Sequence, residues 1–131
     1  YLLIFKKSGV KAVPVVPDVS NEDWILWARP IWLDIRETNT LNAKIARTEA
    51  DERHICPLQL DFIERCVRLY SNRGELVLSP FAGIGSEGYV SVQHGRRFIG
   101  IELKPSYWKT AITNLESLQS QTSLFDGDDS A

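Results

Sequence analysis

The sequence predicts an α/β fold built on a short parallel sheet, and three observations carry that prediction. Glu75 to Ser79 is an apolar run of strand length that opens onto a glycine-rich stretch. Gly83, Gly85 and Gly88 follow at the G-x-G-x-x-G spacing, where the lack of a Cβ lets the backbone turn sharply and approach a ligand. A second apolar run, Phe98 to Ile101, then ends in Glu102, nineteen positions after Gly83. Strand, glycine loop, helix, strand and acid in this order describe a βαβ unit; a nucleotide-type ligand over its loop, with the acid placed for ribose hydroxyls, is the reading favoured over a purely structural turn.

The remaining elements follow in chain order. Leu2 to Phe5 reads as a buried strand reaching the surface at Lys6 and Lys7, and Gly9 to Asp18, with Pro14 and Pro17, as an extended linker. Ser20 and Asp23 form a capping box for a short helix through about Ala28, stopped by Pro30. Trp24, Trp27 and Trp32 cluster around it, either as a base-stacking surface or, the reading favoured here, as a small hydrophobic core. Residues 36 to 53 carry four basic and four acidic side chains with no period, which suits a DNA-facing recognition loop and a solvated loop equally. Pro57 suits the first turn of a helix whose apolar stripe is Leu60, Ile63, Val67 and Tyr70, with Ser71 to Gly74 as the exit turn. The helix after the glycine loop spans Ser86 to Gln93, closes on Gly95 as a left-handed cap, and directs its free N–H groups at the loop. Pro105 starts a last helix, to about Leu118, with Trp108, Ile112 and Leu115 on one face. Beyond it the chain is rich in serine, glutamine and aspartate, the composition of a frayed end and a disordered tail.

Composition narrows the function classes. A length of 131 residues is that of one domain, and 44% hydrophobic residues is ordinary for a globular one. No run reaches the length of a membrane span and no signal-peptide pattern opens the chain, so the expected location is cytoplasmic, with no membrane partner. Cys56 and Cys66 fit no disulfide framework, and His54 with Cys56 falls short of the four ligands of a structural metal site. Net charge is −2, and leaving out the three aspartates of the last six residues makes it +1, far from a basic domain. Any grip on DNA therefore rests on clusters such as Lys6, Lys7 and Lys11 or Arg96 and Arg97, or on protein outside this chain. The sequence has no methionine and starts inside an apolar run, so it is expected to be the C-terminal piece of a longer polypeptide.

Three residues, Pro80, Phe81 and Ala82, separate the first strand from the first glycine. That spacing argues against a dinucleotide site, where glycine turns directly off the strand. Ser79-Pro-Phe-Ala-Gly-Ile-Gly85 instead resembles the Asp-Pro-Phe-x-Gly-x-Gly motif of S-adenosylmethionine-dependent DNA amino-methyltransferases, and Gly100-Ile-Glu-Leu-Lys-Pro-Ser-Tyr107 matches their Gly-Ile-Glu-x-x-Pro-x-Tyr. Residues 1 to 6 look like the strand closing the catalytic half of these enzymes, and Pro30 to Ile35 like the Trp-x-Asp-Ile strand that precedes the cofactor half. The pattern resembles that of the permuted β class acting on N6 of adenine or N4 of cytosine, of the phage or prophage type.

The resemblance implies part of a Rossmann-like methyltransferase fold, an incomplete parallel sheet flanked by helices. It implies S-adenosylmethionine as cofactor, bound through Pro57, Ser79, Pro80, Phe81, Ala82, Gly83, Gly85, Ser86 and Glu102, with no metal. Ser79 stands where the motif has aspartate and Ser86-Glu87 where it has Thr-Thr, which leaves one polar contact to the amino-acid end of the cofactor without its usual acid. The tetrapeptide of these enzymes that grips the extruded base contains Pro-Pro, which this chain lacks, and in the permuted order it belongs upstream of Tyr1. No catalytic residue is therefore expected here, and the chain alone should be inactive. The implied segments are 1–20, end of the catalytic half and linker; 21–53, target recognition or connection; 54–118, cofactor-binding half; and 119–131, acidic tail. Implied partners are double-stranded DNA and the missing N-terminal half, with a homodimer left open. A dinucleotide-dependent oxidoreductase and a non-catalytic interaction module are the rival readings.

Overall fold

The computed structural model describes residues 1–10, 13–41 and 57–125. In chain order the elements are α1 (Asn21–Trp27), α2 (Leu60–Tyr70), β1 (Leu76–Ser79), α3 (Ser86–Gln93), β2 (Arg97–Gly100) and α4 (Pro105–Phe125). The fold is α/β: β1 and β2 form a two-stranded parallel sheet in the register Leu76 with Arg97 through Ser79 with Gly100. Helix α3 supplies the crossover and packs on both strands, with α2 and α4 against it.

Each element has a local cause. Ser20 caps α1, its Oγ accepting from the Asp23 N–H at 3.0 Å and donating to the Asp23 carboxylate at 2.9 Å. Helix α2 begins at Leu60 rather than at Pro57, because an outside carbonyl caps its first turn: the Leu60 N–H donates to Asn39 O at 2.8 Å. Its stripe buries Ile63 and Val67 against Val90 of α3, with Leu60, Phe62 and Tyr89 around them, while Tyr70 is exposed. Gly95 ends α3 in the left-handed conformation, φ 75°.

Several expectations are corrected. Leu2 to Phe5 and Pro30 to Ile35 form no strand and are largely exposed, because a strand needs a partner for its backbone groups and the described sheet offers none to either segment. Helix α4 runs through Phe125, past Leu118 into the expected tail; residues 126–131 and 42–56, the latter including His54 and most of the polar segment, lie outside the described residues. The buried face of α4 is Ala111, Asn114 and Leu118, whereas Trp108 and Ile112 are exposed. On the sheet, Leu76, Leu78 and Ile99 are each about half exposed, so the face they share carries little cover among the described residues. No helix among those residues is long and apolar enough to cross a membrane, and no cluster of potential metal ligands occurs among them.

Candidate functional site

The glycine loop leaves β1 through Pro80 and Phe81 and is tied down at three points. Ala82 N–H donates to Ile101 O at 2.9 Å, Asn114 Nδ2 of α4 donates to Ile84 O at 2.8 Å, and Gly83 N–H donates to Glu102 Oε2 at 2.8 Å. Gly83 and Gly85 have φ of 53° and 87°, the left-handed region that only glycine enters without strain. Gly85 also lies so close to α4 that a Cβ would sit 3.0 Å from the Cβ of Ala111, which explains the small residue there. Phe81 is thrown outward, 86% exposed.

A cavity of about 220 Å³ opens beside this loop, lined by Pro57, Leu58, Phe81 to Ile84, Ser86, Glu87 and Tyr107. Of the residues expected from sequence, the structure thus gathers Pro57, Phe81, Ala82, Gly83 and Ser86 around one space. Glu102 stands behind the loop with both carboxylate oxygens engaged, the second accepting from Lys104 N–H at 2.8 Å. Ser79, Pro80 and Gly85 lie outside the lining: Ser79 is buried at the end of β1 with its carbonyl accepting from Ile101 N–H, Pro80 is exposed, and Gly85 faces α4. Sequence reasoning missed Leu58, Ile84, Glu87, Tyr107 and the supporting Asn114 as site residues. Tyr107 carried a signal as the last residue of the second motif, Ile84 lies inside the first, and Glu87 showed as a departure from the Thr-Thr that follows it.

Electrostatically, Glu87 stands out, since burial raises its carboxyl above the usual carboxylate range and its own backbone N–H offsets this only in part. A second cavity, about 420 Å³, adjoins the first through Leu58 and Glu87 and is lined largely by α2 and β1, including Cys66, whose thiol burial pushes up to about 11. A thiol raised in this way is mostly protonated at neutral pH.

The tryptophan cluster belongs to a different assembly. Arg65, buried in α2, stacks its guanidinium over Trp27 and Trp32 at 5.3 and 5.1 Å, while Trp32 meets Phe62 edge to face and donates its indole N–H to Trp27 O at 2.8 Å. Arg65 Nη2 pairs with Asp34 at 2.6 Å, holding that carboxyl below its ordinary range. The expected small core is thus a cation–π stack, and Trp24 stands half exposed outside it. Arg96, named with Arg97 as one of the clusters on which a grip on DNA could rest, is spent inside the protein: its guanidinium is buried, bonding Asp18, Ser71 O and His94 O at 2.9, 2.7 and 2.6 Å.

With this geometry in view, comparison with known proteins gives one direction. The chain is 29% identical to the type II methyltransferase M.BglI of Bacillus subtilis over 118 residues, 89% of this chain and 30% of that enzyme. It is 41% identical to the DNA adenine methyltransferase YhdJ of Escherichia coli (strain K12) over 54 residues, 41% of this chain and 18% of that one. Among solved structures it is similar to a proposed DNA modification methylase of Thermus thermophilus, complexed with S-adenosyl-L-methionine, at a TM-score of 0.65 and 29% identity, covering 86% of this chain and 41% of that one. The chain therefore spans less than half the length of each of these proteins. The DNA methylase family signature matches residues 3–113, most of the sequence, and the chain belongs to that family.

Proposed function

We propose that this chain is the S-adenosylmethionine-binding part of a site-specific DNA methyltransferase that modifies the exocyclic amino group of adenine or cytosine. The observation that carries the reading is the glycine loop fastened to Glu102 beside a cavity that gathers Pro57, Phe81, Ala82, Gly83 and Ser86. The residues fit such a cofactor: a Cβ on Gly83 would meet nothing within 4 Å, so the loop leaves open space at its tip, and Glu102 stands behind it, each carboxylate oxygen accepting one backbone N–H and keeping a lone pair for a hydroxyl. At about 220 Å³ the cavity is below the roughly 300 Å³ at which pockets for drug-sized ligands begin. It would enclose one end of the cofactor, with the exposed ring of Phe81 as a surface for the rest.

The cofactor supplies a methyl group already activated on a sulfonium sulfur. The task left to these residues is to hold it in line and keep water away. The Gly83 loop, the first-turn amides of α3 and Glu102 do the holding, and Pro57, Leu58 and Phe81 provide the apolar wall. Gripping the extruded base falls to a segment upstream of Tyr1 in the permuted order, so methyl transfer to double-stranded DNA requires that N-terminal half, in the same polypeptide or as a partner. The poorly covered sheet face at Leu76, Leu78 and Ile99 supports this, since parallel strands are seldom stable unless both faces are covered.

Calorimetry with S-adenosylmethionine and, separately, NAD tests the reading. Binding of the first alone is expected; binding of NAD alone would install the oxidoreductase reading, and binding of neither the interaction module. Glu102→Ala should weaken S-adenosylmethionine binding about tenfold to a hundredfold, the equivalent of roughly 1.5–3 kcal/mol for a charge-assisted hydrogen bond.

A further inference from the structure

We infer that Glu87 is the counter-charge for the ammonium group at the amino-acid end of the cofactor, a role assigned to no residue above. The inference rests on the proposed cofactor site and concerns what this chain has built into it. Glu87 is the one charged side chain among the described residues lining the cavity beside the glycine loop, whose other walls are Pro57, Leu58, Phe81 to Ile84, Ser86 and Tyr107. It also lines the adjoining cavity, so it stands on the partition between the two, flanked by Leu58 on the same boundary.

The surroundings of this carboxylate are wrong for an idle surface acid. Ile63, Val67 and Val77 line its second side, and no ion pair among the described residues includes it. A carboxylate withdrawn from water without a cation is costly, and its burial already drives the carboxyl upward. A ligand that brings a positive group into the cavity removes that cost. Ser79, the neutral residue at the end of β1, lies outside the lining and offers no charge of its own. S-Adenosylmethionine carries two positive groups, the sulfonium and the α-ammonium. Only the ammonium has N–H donors for a carboxylate to accept, so the hydrogen-bonded partner is the ammonium.

The test is a comparison of three ligands on purified wild-type and Glu87→Gln protein by calorimetry, with far-UV circular dichroism to establish that the variant is folded. S-Adenosylmethionine has both positive groups, S-adenosylhomocysteine only the ammonium, and 5′-methylthioadenosine neither. The substitution is expected to weaken the first two by about tenfold to a hundredfold and to leave the third unchanged. Loss for S-adenosylmethionine alone would assign Glu87 to the sulfonium and overturn the inference. Equal loss for all three would mean a disturbed loop, and no loss for any would mean an idle acid; either overturns it. Wild-type protein that binds none of the three would overturn the cofactor site itself, a result distinguishable from all the others.

Discussion

The βαβ unit with α2 and α4 and the arm formed by residues 13–41 are held together by opposite means. In the unit, backbones and small residues approach closely: a Cβ on Gly85 would sit 3.0 Å from Ala111, and one on Gly88 would come within 2.6 Å of the Phe98 ring. The arm buries almost nothing apolar, with Val13, Val16, Ile25, Ile31 and Leu33 all well exposed. Its anchors are polar and aromatic, Trp27 and Trp32 lying against the Arg65 guanidinium and Trp32 also against the Phe62 ring. Asp18 reaches Arg96 and Arg73, each at 2.9 Å, Asn72 bridges Val16 N–H and Pro14 O, and Arg36 clasps Asp61 with two guanidinium bonds of 3.0 and 2.7 Å. Directional bonds fix where the arm lies without requiring it to share the core. A groove of about 910 Å³ consequently remains between the arm, Tyr1 and α2. The arm is docked, whereas the unit is packed, and regions with few buried apolar contacts open first.

The sharpest way to break this contrast is at Arg96, the buried guanidinium through which the unit holds the arm. Arg96→Met leaves Ser71 O and His94 O without their donor and Asp18 without its main partner, and should cost about 3 kcal/mol in denaturant unfolding. A loss below about 1 kcal/mol would show that the arm and unit are independent. Next comes Gly88→Ala, which overpacks the unit against Phe98 and should cost about 1–3 kcal/mol, with part of it recovered by Phe98→Leu. Without recovery, the ring is not the obstacle.

Asp61→Asn should cost on the order of 1 kcal/mol, since Arg36 is largely exposed, and should raise protease sensitivity around residue 36 rather than in the βαβ unit. The same contact sets an acid response. Arg36 beside Asp61 lowers that carboxyl from 3.8 to about 2, so its contribution is complete above about pH 4 and is lost as pH falls through about 2. Asp18 and Asp34 are lowered in the same sense by Arg96 and Arg65. Tryptophan fluorescence, which reports on Trp27 and Trp32, should therefore change within that window in wild-type protein and at higher pH once Asp61 is replaced. The smallest effect is expected at Trp108→Gln, within about 0.5 kcal/mol, because that side chain lies on the exposed face of α4. A loss of about 2 kcal/mol or more would return Trp108 to the core.

How legible each region was in sequence follows from how it is held. The βαβ unit is coded locally, by the glycine spacing, by two apolar runs and by a capping glycine, and its elements fell within one residue of expectation at each strand boundary. The site emerged only in part, because Leu58 and Asn114 act through the fold and have no motif of their own, and Glu87 showed only as a departure from one. Asn114 reaches Ile84 across thirty positions, and counting apolar residues pointed to the wrong face of α4. The arm was least legible: Asp18 and Arg96 are 78 positions apart, and nothing periodic links them. Leu2 to Phe5 has strand composition, yet composition cannot supply the neighbour a strand requires.

The slot around Phe98 bears on how this sequence can drift. Gly88 on α3 and Gly100 on β2 both leave room for that one ring, with added Cβ atoms at 2.6 and 2.8 Å from it. The glycines of the loop are therefore not interchangeable letters of one pattern. Gly83 is constrained by handedness and would accept asparagine before alanine; Gly85 by handedness and a neighbouring helix together, and would accept neither. Gly88 is constrained by the bulk of a single partner, so a lineage that shrinks residue 98 first is free to lose the third glycine, and with it the signature by which the loop is recognised.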